Sequence, residues 1–441
     1  MRPLPPLFEA VIGPVQGFFR LESAGGILLL AATAVALGWA NSPWGESYER
    51  LVHLPVQIGA PDAAISFSLH ALVNEGLMTF FFFAVGMEIK RELTIGELRS
   101  WDRALLPAVA AVGGMIAPAG IYMAFTAGTD ALRGWAIPIA TDIAFAIGLV
   151  SAVRGRVPWA LVVFLTALAI FDDVGGIAVI AAFYGHGVNL AWLLVSAVIG
   201  LSAAALGRRH VHRGWAYAAL GALLWYAMHR SGIHPSLSGV ALGLAIPARS
   251  LVSSTAVLGE LRRYLDGLAD KPEDEEVTTE EILRIEDRLE DLEPPLNRFL
   301  HGLHGWVSFL VVPLFALVNA GVDMRAMSLS ALISPVPLGV GLGLFVGKQI
   351  GILACTLAAV RLGWSPMPGG TSLRQLWGVS TVAGIGFTVA LFVAALAFED
   401  DARLLTHAKL GILTGSFLSA VVGFVILRPP FIAGRKAASP R

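Results

Sequence analysis

PWALVVFLTALAIFDDVGGIAVIAAF, residues 158–183, is an apolar run interrupted by two adjacent acids, Asp172 and Asp173. As an α-helix it would be about 39 Å long at about 1.5 Å per residue, enough to cross a hydrocarbon core of about 30 Å. The two carboxylates would then sit near mid-membrane. On insertion scales an ionisable group at that depth costs about 2.5–3.5 kcal/mol, so it faces a protein interior and marks an ion or substrate path. This stretch therefore predicts a membrane-spanning helix carrying a site.

The rest of the chain agrees. Of 441 residues, 56% are hydrophobic and only 14% are charged, a balance that excludes an ordinary water-soluble domain. Windows of high hydropathy place spans at 23–40, 70–89, 104–127, 135–153, 158–183, 188–206, 214–230, 233–247, 305–323, 336–360, 375–398 and 409–427. The fold class expected is an all-α polytopic membrane protein of about 12 transmembrane helices, forming one transporter domain over 1–441. The seventh and eighth spans are short, and Arg230, Ser231 and Gly232 leave little room for a turn. The first run follows a Pro-rich start without a small-residue cleavage site and reads as a retained helix. The lone Cys355 excludes an intramolecular disulfide. With the N-terminus inside, 24 of the 31 Lys and Arg fall on the inner side and six outside, Lys348 being intramembrane. Both termini are thus expected in the cytoplasm of a multi-pass inner-membrane protein.

Two connections are long. In the outer loop 41–69, residues 53–58 and 64–68 are able to form a hairpin with its tip at 59–62. The inner loop 248–300 is an acidic insert, with Ile282, Ile285, Leu289 and Leu292 at the spacing of a solvated amphipathic helix.

Asp142 is alone in the fourth span and Lys348 in the tenth, both near mid-membrane. Mutual pairing to hold helices together would account for one Asp and one Lys. It would not neutralise a doubled aspartate, whose crowding and desolvation favour binding a proton or a small hard cation. Oxygen ligands suit sodium or lithium, and the sequence offers no Cys/His cluster for a transition metal. Two spans also carry breakers: Ala136-Ile-Pro-Ile-Ala-Thr-Asp142 in the fourth and Thr381-Val-Ala-Gly-Ile-Gly-Phe-Thr388 in the eleventh. They are the middle members of the oppositely oriented triplets 3–5 and 10–12. That placement predicts an inverted repeat with its site at two broken, crossing helices.

Ala140-Thr-Asp-Ile-Ala-Phe-Ala146, Ala167-Leu-Ala-Ile-Phe-Asp-Asp173, Leu310-Val-Val-Pro-Leu-Phe-Ala316 with Asn319-Ala-Gly321, and Gly347-Lys348 together resemble the NhaA family of bacterial sodium/proton antiporters. Gly86-Met-Glu-Ile-Lys-Arg-Glu-Leu93, Ala383 to Thr388 and Ala408-Lys-Leu-Gly-Ile-Leu413 extend the resemblance over nearly the whole chain. It implies pH-regulated, electrogenic exchange of Na+ or Li+ for H+ by alternating access. Asp172 and Asp173 would bind the cation, with Thr141 close enough to assist. Asp142 and Lys348 would compensate half-helix dipoles at the crossing. Glu88, Arg91, Glu92, His234 and His301 would serve pH response, and the outer hairpin would build a homodimer. Where well-known members carry glutamate before the histidine matching His301, this chain has Leu300.

An intramembrane aspartyl protease would need its two aspartates on facing helices, whereas successive residues lie about 100° apart on one helix, and no Gly-x-Gly-Asp occurs. No enzymatic activity, cofactor or nucleic-acid partner is expected; the partners are the ions and the bilayer. A channel would collapse a sodium gradient without moving protons, and a symporter would show solute-stimulated sodium uptake.

Overall fold

A computed structural model describes residues 24–58, 65–153, 157–185, 187–208, 214–248, 254–269, 278, 280, 285, 294–325 and 329–428. These are mostly helical. The helices are α1 (Ala24–Ala40), α2 (Gly45–Val52), α3 (Leu69–Thr94), α4 (Trp101–Thr126), α5 (Ile143–Ala152), α6 (Trp159–Phe183), α7 (Leu190–Arg208), α8 (Gly214–Ser231), α9 (Leu237–Ala245), α10 (Ser254–Ala269), α11 (Pro295–Asn319), α12 (Pro335–Arg361), α13 (Leu373–Val382), α14 (Phe387–Ala397) and α15 (Ala402–Leu427). Seven of them, α3, α4, α6, α7, α11, α12 and α15, are long and apolar enough to cross a membrane. Two further crossings are broken pairs: residues Asp130–Ile139 with α5, bent by 42°, and α13 with α14, bent by 43°. With α1 and the shorter α8 and α9, every one of the twelve expected spans has its helical counterpart.

Local chemistry explains the differences from expectation. The first half of the broken fourth span is 3-10 rather than α, at Asp130–Gly134 and Ile137–Ile139, because Pro138 supplies no N–H. Spans seven and eight do turn in the room left to them, since Gly232 adopts φ +81°, a left-handed conformation that a side chain would strain. The chain at 41–69 is not all loop: α2 bends away from α1 by 119°. Strands β1 (Pro55–Ile58) and β2 (Ile65–Ser68) then pair antiparallel, Val56 opposite Phe67. Of the amphipathic pattern at 282–292, only Ile285 lies within the described residues.

The chain divides into two compact units. Unit 1 comprises 1–70, 100–180 and 313–441; unit 2 comprises 71–99 and 181–312. Unit 1 contains both triplets of the repeat, each a long helix, a broken helix and a long helix: α4, 130–152, α6, and α12, 373–397, α15. The two leading helices pack tightly, because a Cβ on Gly351 would collide with the Gly113 backbone and only glycine lets the two backbones approach so closely. In unit 2, α3 and α9 approach in the same way at Gly239, where a Cβ would strike the backbone of Thr79 and Phe83. Its core gathers Phe83, Met87, Tyr217, Leu242, Ile246, Leu296 and Leu300. Leu300 is therefore a core residue here, at the position where the resemblance marks a glutamate. On α7, Leu194, Val198 and Leu201 are more than half exposed on one helical face, as a lipid-facing stripe requires. The protein is a multi-pass membrane protein.

Candidate ion-binding site

The site lies within unit 1 where the two broken helices cross. Residues 140–142 and 383–386 are the unwound links of spans four and eleven. They are joined by a main-chain hydrogen bond in which Asp142 N–H donates to Ile385 C=O at 2.6 Å. Each break frees backbone groups that lipid cannot satisfy, so protein groups must do so.

Asp142 satisfies donors from both helices. It is the N-cap of α5, its Oδ1 accepting from Phe145 N–H at 3.0 Å. Its Oδ2 accepts from the N–H of Thr388 at 3.1 Å and from the Thr388 hydroxyl at 2.6 Å, in the first turn of α14. One buried carboxylate thus faces two half-helix N-termini, whose partial positive charge favours an anion. In the sequence Thr388 stands out only as the end of a breaker segment, a hydroxyl two residues after Gly386 in an apolar span.

Asp172, Thr141 and Lys348 form the second cluster. Asp172 and Asp173 are consecutive on α6, both buried, with Asp172 the deeper. Asp172 Oδ2 accepts from Lys348 Nζ at 2.5 Å, and the Thr141 hydroxyl lies 2.7 Å from the same oxygen. That hydroxyl is also 2.8 Å from the Ala383 C=O in the opposite link. Thr141 has one hydroxyl proton, so it donates either to the carboxylate or to the carbonyl. Asp172 Oδ1 is buried and accepts no hydrogen bond among the described residues. Asp172, the Thr141 hydroxyl and the link carbonyl thus bring hard oxygens together beside one ammonium group, with Asp173 next to Asp172 on α6, a set of ligands suited to a small hard cation. Lys348 follows a π-helical turn, Gly343–Gly347, and its ammonium group reaches Asp172.

The residues expected to serve pH response all lie in unit 2. Glu88, Arg91 and Glu92 occupy the last turns of α3, and Glu92 accepts a hydrogen bond from Glu97 N–H at 3.0 Å. His234 Nδ1 lies 2.7 Å from the Ser236 hydroxyl before α9, the geometry of a hydrogen-bonded helix boundary. His301 is exposed on α11. The two expected groups are thus carried on separate units.

Replacing Thr141 with valine should weaken cation binding several-fold, because it removes the hydroxyl oxygen beside Asp172, a contact worth about 0.5–1.5 kcal/mol. Thr141→Ser should bind like the parent; sodium titration of proton release from purified protein would check both. Equal affinities for parent and Thr141→Val would remove the hydroxyl from the site.

The sequence profile of the Na+/H+ antiporter 1 family matches residues 16–427. A protein of Myxococcus xanthus named Na(+)/H(+) antiporter NhaA 1 is 54% identical over 97% of this chain and 95% of its own length. An antiporter of the same name, NhaA, from Anaeromyxobacter sp. is 52% identical over 99% of this chain and 96% of its own. Another from Oleidesulfovibrio alaskensis is 41% identical over 96% and 95%.

Proposed function

Because the chain belongs to the Na+/H+ antiporter 1 family, we propose that it exchanges Na+ or Li+ for H+ across a bacterial inner membrane, exporting the metal cation against inward protons. One observation carries this reading: a buried carboxylate, Asp172, is held by Lys348 and Thr141 beside Asp173, at the crossing of two broken helices. An arriving cation competes with the lysine ammonium and with protons for these oxygens, so binding one displaces the other. Asp173 is the more direct ligand and Thr141 assists. Lys348 and Asp142 balance charge, the aspartate against the helix N-termini and the lysine against Asp172. Alternating access exposes the pair to one side at a time.

Two acidic groups at the site support a transport cycle in which two protons replace one sodium, so that net charge moves. An imposed potential then acts at about 2.3 kcal/mol per charge per 100 mV. In proteoliposomes, sodium should drive proton movement whose rate follows membrane potential, and Asp173→Asn should abolish it while the protein still inserts and folds. Near-normal exchange in that variant would refute the site, and voltage-independent rates in the parent would refute the unequal stoichiometry.

Glu88, Arg91, Glu92, His234 and His301 form the pH-responsive group in this reading, with both termini in the cytoplasm, where the excess of Lys and Arg supports placing them. The β1–β2 hairpin would join two copies. A two-stranded sheet is marginal alone and leaves edges that a second copy can cover. Light scattering of the solubilised protein should give the mass of two chains, and a mass halved by deleting 55–68 would tie the contact to the hairpin.

A further inference from the structure

The long connection between α9 and α11 contains a helix that spans nothing. In α10, Val257, Leu258, Leu261, Tyr264 and Leu265 fall within a sector of about 120° at about 100° per residue. Glu260, Arg262, Arg263 and Asp266 all lie outside that sector and are exposed. Val257 in the first turn is buried, whereas Leu258 and Leu265, one heptad apart, are 53% and 46% exposed. The stripe is thus anchored at one end, with Leu261 and Tyr264 half-buried and Leu258 and Leu265 exposed.

The chain before α10 is fixed. Ala248 belongs to the unit 2 core, and Pro247 C=O accepts a hydrogen bond from Leu296 N–H at the start of α11. Only residues 249–253 separate that anchor from α10, a reach of at most about 18 Å. The anchor joins the ends of two spans, so α10 is confined close to the membrane surface. Arg262 lies at the edge of the apolar sector, where a guanidinium on a flexible stem reaches lipid phosphates while the stripe faces down. We propose that α10 lies in the headgroup layer of the bilayer, with Leu258, Leu261 and Leu265 in the acyl boundary and Arg262 on anionic lipid headgroups. The sequence that follows carries thirteen Asp and Glu against three Lys and Arg over 266–293, a charge that an anionic surface repels.

Full-length protein with Cys355→Ala and a single nitroxide-labelled cysteine at Leu258, Leu265, Glu260 or Asp266 would be reconstituted in vesicles of phosphatidylcholine alone or with phosphatidylglycerol. Collision with oxygen should exceed collision with a water-soluble nickel chelate several-fold more at 258 and 265 than at 260 and 266. The contrast should sharpen with phosphatidylglycerol and weaken in Arg262→Gln. Equal nickel access at all four positions would mean a solvated helix and overturn the proposal. Exclusion of both reagents at 258 and 265 would mean a protein covers the stripe, and would overturn it equally.

Discussion

Substituting Asp172 with asparagine should destabilise the protein by about 3–5 kcal/mol, the cost of leaving a buried charge without its partner. Lys348 is fully buried and its ammonium group lies 2.5 Å from the Asp172 carboxylate. Pairing offsets the cost of desolvating the two groups, so removing one member exposes a penalty that the pair had cancelled. The double variant Asp172→Asn/Lys348→Met should therefore melt close to the parent in detergent, well above the single variant, since an uncharged pair of similar volume leaves no buried charge without its partner. Both variants should lose normal exchange. A single variant as stable as the parent would show that Lys348 has another anion to turn to, and would weaken the competition on which the exchange mechanism rests.

The second large effect is expected at Asp142. Asp142→Ala would leave the N–H groups of Phe145 and Thr388 and the Thr388 hydroxyl without their acceptor, at about 1–3 kcal/mol for each buried group left unsatisfied. Both half-helices lose their cap together, so the loss should exceed that of an ordinary N-cap, about 0.5–2 kcal/mol. Thr388→Val removes only the hydroxyl contact and should fall between Asp142→Ala and the parent. Melting temperatures of the three proteins would test the order, and a Thr388→Val protein as unstable as Asp142→Ala would place the burden on threonine rather than on the shared carboxylate.

Much of this arrangement is legible in the sequence because the membrane makes charge costly. Asp142, the Asp172–Asp173 pair and Lys348 stand out as the ionisable groups of long apolar runs, and all four belong to unit 1. Span number is readable for the same reason: hydropathy reports burial in lipid whatever the packing. What stays hidden depends on contacts between distant segments. Nothing local says that the Thr141 hydroxyl is shared between Asp172 and the Ala383 carbonyl, or that Asp142 caps α14 as well as α5. The partner of Lys348 is hidden likewise. Dipole arguments pair it with helix C-termini, whereas the side chain reaches a carboxylate. The amphipathic α10 is legible too, since residues 257–265 show its stripe once placed at helical spacing. Leu300 as a core residue could not be inferred without knowing what surrounds it.

Three of the membrane helices contain π-helical turns, at Leu72–Leu77, Val307–Val311 and Gly343–Gly347. Each such turn accommodates one surplus residue in an otherwise α-helical rod, so everything beyond it is rotated by about 100° from where an uninterrupted helix would carry it. For α12 the rotated part begins at Lys348. The aim of the lysine is consequently a matter of counting: shortening 343–347 by one residue would let the helix relax to a regular winding and swing the ammonium group away from α6, with no change in the composition of the span. A single-residue insertion or deletion within 343–347 should therefore disturb the site as much as replacing the lysine itself.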